Sequence, residues 1–177
     1  MTAAWLGIVG IILFLHFGLS DLVVFACRSV GVKATPLMHT PVAATSLNDF
    51  WGHRWNTAFS DLARTRLFRP LARRYGVAAA AFGVFVASGL LHELVISMPA
   101  RGGYGMPTAY FAIQGVAAWL ERTTAGRRFG LGRGLCGWLF TAAVLVVPLP
   151  LLCPEAFLNR VILPMLWAIP GATPCHL

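Results

Sequence analysis

The stretch GVAAAAFGVFVASGLLHELVISMP, residues 76–99, decides the class of fold. Its length matches the roughly 20 apolar residues that an α-helix needs to cross a bilayer. Its ionisable residues, His92 and Glu93, lie together in its last third. The whole chain is similar in character, since 58% of its 177 residues are apolar and 11% are charged, against about 25% charged in a soluble domain. The composition argues against a soluble enzyme, rules out disorder and predicts an all-α integral membrane helical bundle.

Four further apolar segments predict the rest of one membrane-embedded domain over residues 1–177. Residues 5–26, 107–120 and 135–153 are the other expected spans, the second of them short. Residues 156–169 are apolar but interrupted by polar residues and a proline, which is typical of a short or re-entrant helix. The sequence therefore predicts four spans and one short helix.

Residues 46–75 predict an amphipathic helix that lies in the membrane interface. Ser46 and Asp49 have the spacing of an N-terminal capping box. The two sides of the predicted helix differ in chemistry. One carries Trp51, Trp55, Phe59 and Leu62, and the other carries His53, Arg54, Asp61 and Arg64. We expect Pro70 to end or bend this helix.

The charge is strongly positive, with 14 Lys+Arg, 6 Asp+Glu and a formal net charge of +8. Arginines account for most of it, and they form two blocks between apolar segments. The first block is Arg54, Arg64, Arg66, Arg69, Arg73 and Arg74, and the second is Arg122, Arg127, Arg128 and Arg133. The positive-inside rule places both blocks on the cytoplasmic side, with the 102–105 loop outside, and favours membrane topology over nucleic-acid binding. The four cysteines show no C-x-x-C spacing, so no metal site is predicted.

His92 and Glu93 form an ionisable pair inside an apolar helix, which is a functional-site hypothesis by default. A neutral histidine in a dry site can take a proton from a hydroxyl. The zinc-protease pattern H-E-x-x-H fails, because Ile96 stands where the second histidine is needed. The alternative is a buried histidine bonded to a backbone carbonyl within a bundle. The residues alone leave both interpretations open.

Residues 48–56, NDFWGHRWN, interleave three aromatic rings with amides, an acid and two basic residues. An interfacial belt explains such a segment without any chemistry, because tryptophans anchor at the headgroups and arginine side chains extend towards water. The alternative is base stacking on nucleic acid, which needs exposed aromatic rings in a soluble basic groove, whereas this segment adjoins the membrane. Taken alone, the segment favours the belt.

The two motifs together resemble the membrane-bound O-acyltransferase superfamily. Residues 50–56, FWGHRWN, are similar to the F-W-G-x-R-W-N segment of its wax synthase branch, and S-G-L-L-H-E-L places His92 36 residues after Asn56. The resemblance is strongest over residues 36–94 and looser beyond them. It looks like the C-terminal half of such an enzyme, so a missing N-terminal half or an oligomeric partner is expected.

This resemblance implies an acyl-CoA-dependent O-acyltransferase that esterifies a lipid or long-chain alcohol hydroxyl, as in wax ester synthesis. By analogy His92 is the catalytic base, and Asn56 positions substrate or polarises the thioester carbonyl. The remaining motif residues are expected to bind substrate, and they are Asn48, Asp49, Trp51, Arg54, Trp55 and Glu93. Acyl-CoA is then a co-substrate, its phosphates attracted by the first arginine block, and no cofactor or metal is expected.

Two other classes of function stay open. A non-catalytic membrane scaffold, or a truncated remnant of an acyltransferase, would keep the helices without an acyl tunnel. A transporter would use His16, Asp21, His92 and Glu93 as a proton path. The expected partners under the enzyme interpretation are membrane lipids, acyl-CoA and a hydrophobic alcohol, with no nucleic acid.

Overall fold

The computed structural model describes Gly7, Gly10 and residues 14–168, and all regular structure in these residues is helical. The prediction of an all-α fold is therefore confirmed. Most of the first predicted span before residue 14, the side chain of His16 and residue 169 of the predicted short helix lie outside the described residues. Several of the α-helices consist of consecutive α- and π-helical segments. In chain order the α-helices are α1 (Phe14–Leu19, π, and Ser20–Ser29), α2 (Leu47–Asp49 and Phe50–Arg54, π), α3 (Thr57–Ala63, Arg64–Phe68, π, and Arg69–Tyr75), α4 (Val77–Ala100, with a π-helical turn over Glu93–Ser97), α5 (Met106–Leu120), α6 (Thr124–Arg128), α7 (Gly134–Leu152) and α8 (Glu155–Phe157, Leu158–Ile162, π, and Leu163–Trp167).

Helices α4 and α7 are the two described helices that are long and apolar enough to cross a bilayer. Helix α4 has 24 residues and a mean hydropathy of 1.8, and α7 has 19 residues and a mean hydropathy of 2.2. Only 22% and 11% of their most apolar stretches are buried within this chain. Both helices therefore present most of their apolar surface outward.

Helix α5 is shorter and lies at the centre of the described helices. Fifteen residues at 1.5 Å each give it a length of about 22 Å, less than the ~30 Å of a bilayer core. It is also the helix with the most buried positions, which are Pro107, Tyr110, Phe111, Gln114, Gly115, Ala117 and Ala118. Helix α5 thus provides the surface against which its neighbours pack.

Two glycines allow α4 and α5 to cross closely. A Cβ atom added to Gly89 on α4 would lie 2.7 Å from the Cα of Thr108 on α5. A Cβ added to Gly115 on α5 would lie 2.9 Å from the ring of Phe82 on α4. Since real Cβ atoms do not approach so closely, each helix uses a small residue where the other presses against it.

The predicted amphipathic helix over residues 46–75 is interrupted. Ser46 caps it as expected, because its Oγ accepts the Asp49 N–H at 2.9 Å. The helix then ends at Arg54, and Asn56 adopts a left-handed conformation (φ 44°, ψ 64°) before α3 begins at Thr57. Asparagine is one of the few residues that tolerate this conformation. The expectation of one continuous helix was therefore wrong. The spacing of the aromatic residues before and after Asn56 does not reveal that the backbone changes direction at this residue.

Pro70 does not end α3, which continues to Tyr75. The N–H of Arg69 bonds to the carbonyl of Arg64, five residues back, so a π-helical turn directly precedes the proline. The same pattern recurs before Pro99 and Pro164. A proline ring normally clashes with the carbonyl four residues earlier, and the wider turn moves that carbonyl aside.

Candidate functional site

His92 lies half-buried on the last α-helical turn of α4 and faces α5. Its Nδ1 is 2.7 Å from the carbonyl oxygen of Ser88, one turn earlier. Its ring packs on Phe111 of α5, with 4.4 Å between the ring centroids. The close approach of the two helices at Gly89 brings the two rings together.

The bond to Ser88 determines which ring nitrogen of His92 carries the proton. A carbonyl oxygen only accepts, so Nδ1 must be the N–H donor. In the neutral ring Nε2 then holds a lone pair, and no described residue forms a hydrogen bond to it. The non-catalytic interpretation expected a histidine bonded to a backbone carbonyl, and His92 forms such a bond. The same bond leaves the lone pair of Nε2 available as a base.

Glu93 does not pair with His92 and instead holds the start of α5. Its Oε1 accepts from the Gly105 N–H at 3.1 Å, from the Thr108 N–H at 3.1 Å and from the Thr108 hydroxyl at 2.9 Å. A carboxylate at a helix N-terminus satisfies free N–H groups and complements the helix dipole. Its Oε2 is buried and has no hydrogen-bond partner among the described residues. The contact thus locks α5 beside the helix turn that carries His92.

An aromatic chain connects the FWGHRWN motif to His92. The Trp51 ring lies 5.6 Å from Phe111 and 6.2 Å from Phe85, centroid to centroid. Phe111 in turn contacts His92. The two motifs, which are distant in sequence, therefore both contact Phe111 of α5.

Trp51 also has a polar contact inside this cluster. Its indole Nε1 donates to Gln114 Oε1 at 3.4 Å, and Gln114 Nε2 donates to the Val144 carbonyl at 2.8 Å. Gln114 is completely buried, so both ends of its amide need partners. Through this residue α2 is joined to α5 and α7.

Trp55, near the end of the motif, stacks on Phe50. The two rings are nearly parallel, with 5.5 Å between their centroids. Phe50 also meets Trp51 edge-on at 4.9 Å. Trp51 and Trp55 therefore belong to one aromatic cluster, and Trp51 is the member that extends towards His92.

Asn56 caps α3 rather than contacting His92. Its Oδ1 accepts the Phe59 N–H at 3.3 Å, and its own backbone N–H points at the sulfur of Met38 at 3.3 Å. Its side-chain amide N–H₂ has no hydrogen-bond partner among the described residues. No described hydrogen bond joins Asn56 to His92.

Asp49 in the first turn of α2 pairs with Arg54 at the end of the same helix. Arg54 Nε lies 2.5 Å from Asp49 Oδ2, and Arg54 Nη1 donates to the carbonyls of His39 and Thr40 at 3.3 and 3.2 Å. The pair therefore ties the preceding loop to the motif helix. This geometry gives both residues an internal role in shaping the motif.

Glu121 is a site residue that the sequence did not indicate. It is 5% exposed at the end of α5, and its two carboxylate oxygens accept from the start of α2. Oε2 accepts the Leu47 N–H at 3.0 Å, and Oε1 accepts the N–H of Asn48 at 3.0 Å and its side-chain amide at 2.6 Å. Arg122 Nη2 donates to the side-chain oxygen of Asn48, Oδ1. In the sequence Glu121 is a single acidic residue that precedes a basic loop. Nothing in its spacing indicates a contact with Asn48, which lies 73 residues earlier in the chain.

A pocket of about 370 Å³ opens beside this contact. It is lined by Ser46, Asn48, Glu121, Arg122, Arg127, Leu131, Gly132 and Arg133. His92 and Asn56 are not among its lining residues. Over the described part of the chain, no three His, Cys, Asp or Glu side chains lie close enough to hold a metal ion.

Comparison with known proteins gives a consistent family. Residues 34–113 match the model of the membrane bound O-acyl transferase family. The chain is 35% identical over 130 residues to a probable long-chain-alcohol O-fatty-acyltransferase of Arabidopsis thaliana, covering 64% of this chain and 37% of that protein. It is 29% identical over 157 residues to the long-chain-alcohol O-fatty-acyltransferase of Simmondsia chinensis, covering 78% and 45%.

A third relative has a different acceptor in its name. The chain is 30% identical over 150 residues to an acyl-CoA–sterol O-acyltransferase of Arabidopsis thaliana, covering 75% of this chain and 44% of that protein. The chain thus spans less than half the length of these three relatives. No solved structure matches it significantly.

Proposed function

The chain belongs to the membrane-bound O-acyltransferase family through residues 34–113, and on that premise we propose that it transfers a fatty acyl group from acyl-CoA to a hydroxyl. The observation that carries the proposal is the orientation of His92, whose Nδ1–H is bonded to the Ser88 carbonyl. Its Nε2 is then the available base. The proposed acceptor is a long-chain alcohol or lipid, so that the product is a wax ester or a related lipid ester.

The proposed reaction uses His92 as a general base. Nε2 takes the proton of the acceptor hydroxyl as its oxygen attacks the thioester carbonyl carbon. A C–O bond forms, the tetrahedral intermediate collapses, and the C–S bond breaks. The coenzyme A thiolate leaves and recovers the proton from the imidazolium. Because the thioester is already activated, we propose that acyl-CoA is a co-substrate and that no resident cofactor or metal takes part.

We propose that Asn56 donates its free amide N–H₂ to a substrate carbonyl or oxyanion. An amide donor aimed at the developing charge stabilises the transition state, and the bond from Phe59 occupies only the oxygen end of this side chain. For the other six motif residues, the internal contacts favour holding the site together. Glu93 fixes α5, Asn48 joins α2 to α5, and Asp49 with Arg54 holds the loop before α2. Trp51 and Trp55 supply apolar surface beside the substrate.

The test of this function is an acyl-transfer assay with a panel of acceptors. Membranes containing the full chain are incubated with labelled palmitoyl-CoA and, separately, with hexadecanol, a sterol or diacylglycerol. We expect labelled ester with hexadecanol above the level of membranes without the protein. Ester formation with the sterol alone would keep the transferase proposal and replace its acceptor. Absence of ester with every acceptor would favour a non-catalytic scaffold. One observation agrees with a scaffold, since neither His92 nor Asn56 lines the 370 Å³ pocket.

We further propose that the protein is a multi-pass integral membrane protein. The outward apolar surfaces of α4 and α7 support this arrangement, since a soluble domain would bury such helices. The proposed spans remain 5–26, 76–99, 107–120 and 135–153, with 156–169 as a short helix and residues 46–75 at the interface. Both arginine blocks are proposed to be cytoplasmic.

Cysteine labelling in intact cells tests this topology. In a variant in which the four native cysteines are replaced by serine, Tyr104→Cys reports on the loop between α4 and α5 and Thr124→Cys on the start of α6. Both positions are exposed in the structure. We expect a membrane-impermeant maleimide to label position 104 in intact cells and position 124 only after permeabilisation. Labelling of position 124 in intact cells would contradict the proposed orientation.

A further inference from the structure

The second arginine block forms two adjoining pockets at the end of α5. Arg127 and Arg133 line both of them, Arg122 completes the first and Arg128 the second. The pockets have volumes of about 370 and 480 Å³ and are open to the surroundings. The α5–α6–α7 connection thus gathers four guanidinium groups that were expected from sequence to mark topology only.

The acids near these pockets do not balance the four positive charges. Glu121 is the one carboxylate that lines either pocket. It is buried, and both of its oxygens accept from the first N–H groups of α2. Four like charges that share a surface without matching acids repel one another, and a bound anion removes that repulsion.

Two of the arginines are held in place by hydrogen bonds within the chain. Arg122 donates to the side chain of Asn48, and Arg127 donates through Nε and Nη2 to the carbonyl of Arg122, at 3.1 and 2.7 Å. The side chains of Arg128 and Arg133 form no hydrogen bond to a described residue. The pockets therefore combine two positioned guanidinium groups with two whose donors are all available.

The position of the pockets relative to the apolar helices indicates the kind of anion. Arg133 directly precedes the first residue of α7, a helix with the length and hydropathy of a membrane span. A pocket at that point lies at the level where phosphate groups of lipids, or of a water-soluble head attached to an acyl chain, are found. The planar fork of arginine matches phosphate oxygens in two-point hydrogen bonds.

We propose that the pockets lined by Arg122, Arg127, Arg128 and Arg133 bind a phosphate group. Two sources share this chemistry, the phosphates of coenzyme A and the headgroup of an anionic phospholipid. The coenzyme A source rests on the proposed acyltransferase function, whereas the phosphate site itself does not. Through Arg122 and Asn48 the bound phosphate is linked to the first residue of the NDFWGHRWN motif.

Equilibrium binding to the purified full chain in neutral detergent tests the site. The first probe is labelled coenzyme A, which has no acyl chain and therefore reports on its polar head. The second probe is phosphatidic acid, added to the same detergent. The variant is Arg128→Gln/Arg133→Gln, because neither side chain supports the fold through a described hydrogen bond. Lys33→Gln/Arg101→Gln is the matched control, since it removes two exposed positive charges outside both arginine blocks.

We expect the double arginine variant to bind at least one probe about tenfold more weakly than the wild type, and the control to bind within about twofold of it. Loss for coenzyme A alone assigns the site to the co-substrate, and loss for phosphatidic acid alone assigns it to lipid. Unchanged binding of both probes by the arginine variant, equal loss in the control, or no binding by the wild type would overturn the proposal. His92→Asn should bind both probes normally, so failure of acyl transfer and failure of this site are separate results.

Discussion

His92→Asn is expected to lower the rate of ester formation by about 10²- to 10⁴-fold, the usual contribution of a general base. The asparagine amide reaches the position of Nδ1 and keeps a donor for the Ser88 carbonyl, but it places no base where Nε2 stands. The hydrogen bond within α4 is therefore retained, while the proposed chemistry and the ring contact with Phe111 of α5 are removed. The assay is the rate of labelled ester formation from palmitoyl-CoA and hexadecanol.

His53→Asn is the matched control for this variant. His53 occupies the variable position of the F-W-G-x-R-W-N segment, and its side chain is 76% exposed. We expect the control to retain the wild-type rate within about twofold. Thermal unfolding of both variants in detergent separates loss of chemistry from loss of fold. A His92→Asn protein that unfolds normally and retains more than a tenth of the wild-type rate would show that His92 is not the base.

Glu121→Gln is expected to destabilise the fold by about 1–3 kcal/mol, the cost of leaving a buried donor without an acceptor. The carboxylate accepts from two backbone N–H groups and one side-chain amide at the start of α2. A glutamine turns one of its two acceptors into a donor, so at least one N–H of Leu47 or Asn48 faces another N–H. The substitution also removes the negative charge from the N-terminus of α2.

The measurement is the unfolding midpoint in detergent, followed by protease accessibility of residues 47–54. Glu155→Gln is the matched control, because Glu155 is exposed and forms no described side-chain hydrogen bond. We expect Glu121→Gln to lower the midpoint by several degrees and to open α2 to protease, with the control unchanged. A midpoint equal to that of the control would mean that Glu121 does not hold α2.

The sequence predicted those parts of the fold that depend on local chemistry. The apolar composition predicted an all-helical chain, and the Ser46 and Asp49 spacing predicted the helix start that the structure has. Both depend on residues within a few positions of each other. The break at Asn56 was missed because a left-handed residue leaves no mark on hydrophobic periodicity.

The site depends on contacts between distant residues, and these were only partly predictable. The resemblance of two motifs indicated His92 and Trp51, and the structure brings them to the same phenylalanine. It did not indicate that Glu93 would cap α5 or that Glu121 would hold α2, because a carboxylate can satisfy N–H groups of any helix that packs beside it. The grouping of the second arginine block around two adjoining pockets was likewise hidden, since charge counts do not show which arginines line the same pocket.

The π-helical turn over Glu93–Ser97 has a consequence for changes in chain length. Such a turn contains one residue more than an α-helical turn, so every residue after it is rotated by about 100° around the helix axis. Deleting one residue between His92 and Met98 would restore α-helical bonding and return Pro99 to a clash with a carbonyl. It would also turn the end of α4 away from its present neighbours. The extra residue and the proline are therefore interdependent, and a viable single-residue deletion in this turn requires replacement of Pro99 as well.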